Sequence, residues 1–190
     1  MEVEKVLSLM EQKDFEQSRK ELENLEKAAS SEEETPQVLY LQGLLALEEG
    51  HYAEGRDLIW KVVGEYYDSR FYAFGESSKI RVIGAERVAT LAGDGGYFED
   101  VIWLQDMLGG DARLDWCAVR DASGKDWGKT KLGDLLEFQK IRAYLKAGEK
   151  DQARQALGMA FLLRGMARTD QGVVDISEEI KKMEGALGTQ

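Results

Sequence analysis

Apolar positions between Leu39 and Val63, LYLQGLLALEEGHYAEGRDLIWKVV, form two helical patterns that break at Gly50-His51. The first is apolar nearly all round. Leu39, Tyr40, Leu41, Leu44, Leu45 and Leu47 leave only Gln42, Glu48 and Glu49 strongly polar, so this helix is expected to be covered on more than one side. The second is one-sided: Tyr52, Gly55, Ile59, Val62 and Tyr66 recur at steps of three and four, opposite Glu54, Arg56, Asp57, Lys61 and Glu65. Gly43 and Gly55 each cost about 1 kcal/mol against alanine in a helix interior. Two helices packed closely at these positions are the compensation the pair predicts.

The same periodicity organises the rest of the chain. Residues 2–12 and 14–29 predict a first hairpin, with Val3, Val6, Leu7 and Met10 facing Phe15, Leu22 and Leu25 and a densely charged outer face. An acidic linker, Ser30 to Thr35, leads to Thr35-Pro36, read as an N-cap followed by proline at the first helical position of a second hairpin over 36–67. A third hairpin is expected over 77–108, its first helix ending at Gly93-Asp94-Gly95-Gly96 and its second running from Tyr97 to Leu108. Helical periodicity fails from Gly109 to Thr130. Trp116 to Arg120 and Asp126 to Lys129 predict two short strands there, with Asp121 to Lys125 as their turn. Helices then resume over Leu132–Ala147 and Lys150–Ala167, a fourth hairpin. A last helix, Ser177–Leu187, carries the stripe Ile176, Ile180, Met183 and Leu187 and is expected to cap the end of the array.

One local text recurs at the hairpin turns: Asp14-Phe15-Glu16-Gln17-Ser18, His51-Tyr52-Ala53-Glu54-Gly55, Gly96-Tyr97-Phe98-Glu99-Asp100 and Glu149-Lys150-Asp151-Gln152-Ala153. In the first three an aromatic (Phe15, Tyr52, Tyr97) is followed three residues on by a short residue (Ser18, Gly55, Asp100). In the fourth, Lys150 replaces the ring before Ala153. This resembles the turn of tetratricopeptide (TPR) repeats, where the ring packs back on the first helix and the small residue lets the backbones close. The resemblance, which spans most of residues 1–167, implies an all-α fold, a right-handed stack of antiparallel helix hairpins within a single domain of residues 1–190. The first helices would line a concave groove that holds a segment of another protein.

Composition limits the functional classes. A formal net charge of −11 argues against broad binding to nucleic acid or anionic lipid. One cysteine, Cys117, and one histidine, His51, make neither an internal disulfide nor a zinc site by themselves. The acidic amphipathic start, MEVEKVLSLMEQ, lacks the basic and apolar regions of a signal peptide, and no apolar run approaches membrane-spanning length, so a cytoplasmic location without membrane insertion is expected.

Candidate chemistry is sparse, and neither a cofactor, a metal nor an enzymatic activity is expected. Gly124 to Thr130, GKDWGKT, approaches a phosphate-binding loop, but the spacer between its glycines is one residue short and Trp127 would crowd it. A nucleotide- or small-ligand-responsive domain using residues 109–130 is therefore the alternative to the leading reading, a non-enzymatic adaptor or assembly factor. A chaperone-like module would differ from that adaptor only in its client. His51 is read as a helix-end residue and Cys117 as a structural thiol. The aromatic run Tyr66, Tyr67, Phe71, Tyr72 and Phe74 is read first as core and second as a ligand lining, and Trp116 and Trp127 as loop packing or as partner anchors. The candidate groove cations are Lys79, Arg81 and Arg87 on one helix and Lys140, Arg142 and Lys146 on another, Arg142 foremost, with Tyr40, Leu44 and Phe138 supplying apolar contact. Two readings of the cations stand: intrahelical pairing, such as Glu137 with Arg142, or a locally positive groove for an acidic segment or a C-terminal carboxylate.

Overall fold

The computed structural model describes residues 3–29, 34–65, 76–112, 116–120, 126–159, 166–169, 172–175 and 177–188. Among them the helical class holds. The helices are α1 (Val3–Glu11), α2 (Phe15–Ala28), α3 (Glu34–Glu48), α4 (Tyr52–Glu65), α5 (Glu76–Gly95), α6 (Phe98–Ala112), α7 (Leu132–Ala147), α8 (Lys150–Met159) and α9 (Ser177–Leu187). Two small antiparallel hairpins accompany them, β1 (Trp116–Arg120) with β2 (Asp126–Lys131) and β3 (Met166–Thr169) with β4 (Gly172–Asp175). The chain gathers into two compact units, Met1–Arg87 and Val88–Gln190.

In the first unit, α3 packs against both α2 and α4. That accounts for its nearly continuous apolar surface, with Val38, Tyr40, Leu41, Leu44, Leu45 and Leu47 all buried. Gly43 and Gly55 meet where the α3 and α4 backbones come together. A Cβ on Gly55 would lie 2.7 Å from the Gly43 carbonyl oxygen, and one on Gly43 would lie 3.0 Å from the Gly55 carbonyl oxygen. Helix α3 starts at Glu34, so Thr35 is inside the helix rather than its N-cap, and Pro36 falls in the first turn, where a missing N–H leaves no intrahelical bond unmade.

In the second unit, Phe138 and Ile141 of α7, Ala153, Ala156 and Leu157 of α8, and Met183 and Leu187 of α9 form one core cluster, edged by Tyr144 and Leu145. The last helix thus covers the α7–α8 hairpin with Met183 and Leu187 of the expected stripe, while Ile176 and the side chain of Ile180 lie outside the described residues. Strands β1 and β2 pair Trp116 with Lys131, Cys117 with Thr130 and Ala118 with Lys129.

The largest departures from the expected boundaries are at three helix C-termini. Helix α5 continues through Gly93 to Gly95, and Gly93 serves a packing contact rather than a turn: a Cβ there would collide with the Gln139 side chain of α7. Helix α6 runs through Gly109 and Gly110 to Ala112. Glycine weakens a helix but, unlike proline, keeps its N–H in the ladder. Helix α8 ends at Met159 rather than Ala167. Met166 and Ala167 belong to β3, paired with Asp175 and Val174 of β4.

The connections α1–α2, α3–α4, α5–α6 and α7–α8 repeat one geometry. Each places a residue at positive φ (Lys13 at 59°, Gly50 at 86°, Gly96 at 83°, Gly148 at 83°). In each, the next residue donates its N–H to the carbonyl five positions back: Asp14 to Leu9, His51 to Ala46, Tyr97 to Ala92 and Glu149 to Tyr144. This is the Schellman pattern of a helix C-terminus. Aligned on it, the third copy shifts by one residue from the sequence expectation. Its ring is Phe98, whose centroid lies 4.8 Å from that of Tyr144, and its tightly packed position is Val101. Tyr97, the ring expected there, is half exposed. The equivalent positions Ser18, Gly55, Val101 and Ala153 are all buried.

Candidate functional site

Of the residues expected to contact a partner, Tyr40, Leu44 and Phe138 are interior, at 1%, 2% and 3% exposure, and do not line an open groove. The Tyr40 phenol occupies the space that a Cβ on Gly84 would need, and Phe138 lies in the core beneath α9. Arg87 pairs with Glu48 across helices of the first unit. Arg142 pairs with Asp94 of α5, not with Glu137, and donates a second hydrogen bond to Gln139 Oε1 at 2.7 Å. Glu137 is taken instead by Lys140, at 2.9 Å, and by Gln105. Three of the expected groove cations, Arg87, Lys140 and Arg142, are therefore matched by carboxylates of the same unit. Lys79 and Arg81 lie on α5, Trp116 on β1 and Trp127 on β2, but their side chains lie outside the described residues, as does the aromatic run from Tyr66 to Phe74.

Gly128, Lys129 and Thr130 sit within β2, with Lys129 opposite Ala118 and Thr130 opposite Cys117. A phosphate loop needs these residues in a turn that opens a helix, its N–H groups converging on the ligand. In β2 they lie instead in extended backbone paired with β1. His51 is exposed at the α3–α4 turn, with Nδ1 4.0 Å from Glu54. No group of three or more His, Cys, Asp or Glu side chains among the described residues is placed to hold a metal ion.

A cleft of about 580 Å³ opens in the first unit, built from α2, α3 and the start of α4. Leu22 of α2 and Leu45 and Ala46 of α3 form its buried floor, and Leu58 of α4 is half buried beside them. Around this floor stand Arg19 and Glu23 from α2, Gln42 and Glu49 from α3, and His51 and Glu54 at the entry to α4. The Arg19 guanidinium donates to Glu49, joining α2 to the end of α3. Gln42 reaches Glu26 at 3.4 Å on the α2 side. The cleft thus combines an apolar base with a rim on which carboxylates outnumber cations.

No family model, curated protein or solved structure matches the chain.

Sequence reasoning missed this cleft because its residues come from three helices and share no motif. A trace of it is Leu58, an apolar side chain between the acidic Asp57 and Glu54 and the buried Ile59–Val62 stripe. No helix among the described residues is long and apolar enough to cross a membrane.

Proposed function

We propose that the protein is a non-enzymatic interaction module, a TPR-like array of helix hairpins that holds a segment of another protein as an adaptor or assembly factor. The observation that carries this reading is the recurrence of one turn, with one hydrogen bond and one buried position, at the α1–α2, α3–α4, α5–α6 and α7–α8 connections. Repeated hairpins of this kind offer surface rather than a reaction centre, and their extended faces suit a peptide or helix better than a small substrate. The cleft of the first unit, apolar at its base and polar at its rim, has the make-up of a segment-binding site.

The test is capture followed by reconstitution. The tagged chain is used to retrieve proteins from its native cell, and each candidate is purified and titrated by calorimetry against the chain. A saturable complex of fixed stoichiometry supports the module. Failure of every purified candidate to bind, or turnover of a small molecule by the chain alone, overturns it.

A further inference from the structure

We infer that the cleft between α2, α3 and α4 takes a basic, partly apolar segment of a partner protein. A lysine or arginine of the segment lies between Glu23 and Glu54, and a neighbouring apolar side chain rests on Leu45 and Leu58. This rests on the interaction-module reading and names the occupant of one site within it.

Charge complementarity selects the sign. Of the charged side chains on the rim, Arg19 is already tied to Glu49, which leaves Glu23 on α2 and Glu54 on α4 without a lysine or arginine partner among the described residues. An acidic segment would meet these carboxylates, and the rim groups that could receive it already face carboxylates, Arg19 at Glu49 and His51 at 4.0 Å from Glu54, whereas a basic one gains a favourable field on approach and a charge-assisted hydrogen bond on arrival. The floor selects the kind of cation. The carboxylates do not converge as a metal site requires, and Leu22, Leu45 and Leu58 offer nothing to a hydrated ion. A lysine or arginine stem covers such a floor while its charged head stays at the rim. The cleft volume of about 580 Å³ accommodates more than one side chain and lies in the range of formed ligand sites. A free linear polyamine shares the charge but not the branched apolar neighbour, which is why a protein segment is favoured.

The experiment uses the full chain and short fluorescent peptides capped at both ends: one alternating lysine and leucine, one alternating glutamate and leucine, one alternating lysine and serine. A linear tetra-amine serves as competitor. The lysine–leucine peptide should bind saturably by anisotropy and weaken as salt is raised. The double variant Glu23→Gln with Glu54→Gln should bind it on the order of tenfold more weakly, a loss of two charge contacts. Leu58→Ser should weaken it as well. A charge-matched control, Glu4→Gln with Glu184→Gln, should bind as the parent does. Equal loss in the control, or no loss in the cleft double variant, overturns the assignment. So does a lysine–serine peptide or tetra-amine that binds as tightly as the lysine–leucine peptide. Preference for the glutamate–leucine peptide, lost on Leu58→Ser, would overturn the basic occupant while sparing the module. Failure of every peptide to bind overturns the cleft as a docking site, and the capture experiment then decides the module separately.

Discussion

Gly55 sits where a side chain has no room, with the Gly43 carbonyl oxygen 2.7 Å and the Leu47 Cγ 2.6 Å from the position its Cβ would take. Gly55→Leu is therefore expected to destabilise the chain by about 1 to 3 kcal/mol or more, since backbone on the facing helix cannot give way as a flexible side chain would. Glu54→Ala, one residue earlier on an exposed face, should change stability by less than about 0.5 kcal/mol. Thermal melts of the two variants distinguish them, and equal midpoints would contradict the close α3–α4 contact. Glu21 provides a second residue-scale test. The hydrogen bond from Lys5 Nζ at 2.8 Å holds its carboxyl below the usual glutamate range. A lowered folded pKa adds stability that is full above the unfolded value and is lost as pH falls through the folded one. Lys5→Ala should accordingly be less stable than the parent at neutral pH, and the two denaturation midpoints should converge as the solution is acidified below about pH 4. The Gly43–Gly55 approach was legible because two glycines in otherwise good helices require a reason. The ring of the third turn was not: Tyr97 and Phe98 are adjacent aromatics, and only the hydrogen bond from the Tyr97 N–H to Ala92 fixes which one points inward.

At the scale of elements, amphipathic stripes carried most of the information. Helices α7 and α9 begin and end at the predicted residues, and α9 turns its Met183 and Leu187 onto the α7–α8 pair as a cap should. Met183→Ala is expected to cost about 2 to 4 kcal/mol, the range for a buried large-to-small change, if the neighbouring side chains collapse only partly. Chemical denaturation with an unchanged slope would measure it, and a loss below about 0.5 kcal/mol would mean that α9 does not seal the core. Strands β3 and β4 were missed because a run of four residues has neither a helical nor an alternating period to read, and their pairing exists only once the chain turns back on itself. The partner residues failed for a related reason. Periodicity places Tyr40 and Phe138 on apolar faces, but whether such a face is covered depends on helices distant in sequence, here α5 over Tyr40 through Gly84 and α9 over Phe138.

For the molecule as a whole, far-UV circular dichroism should report a dominantly helical protein with a small strand contribution from the β1–β2 and β3–β4 hairpins. A strand content near about a quarter, ordinary for a mixed domain, would contradict the architecture. The recurring turn also bears on how the protein is made. It joins helices that are neighbours in the chain, so each hairpin closes over a short loop at little entropic cost. Folding built on local pairing is rapid, in the microsecond to millisecond range for helical domains of low contact order, whereas a ribosome adds only about 5 to 20 residues each second. Helices α1 to α4 occupy the first 65 residues. The hairpins that frame the cleft are therefore positioned to assemble during synthesis, seconds before the ribosome delivers α9, and a nascent chain stalled beyond α4 should already protect the α3–α4 contact from protease.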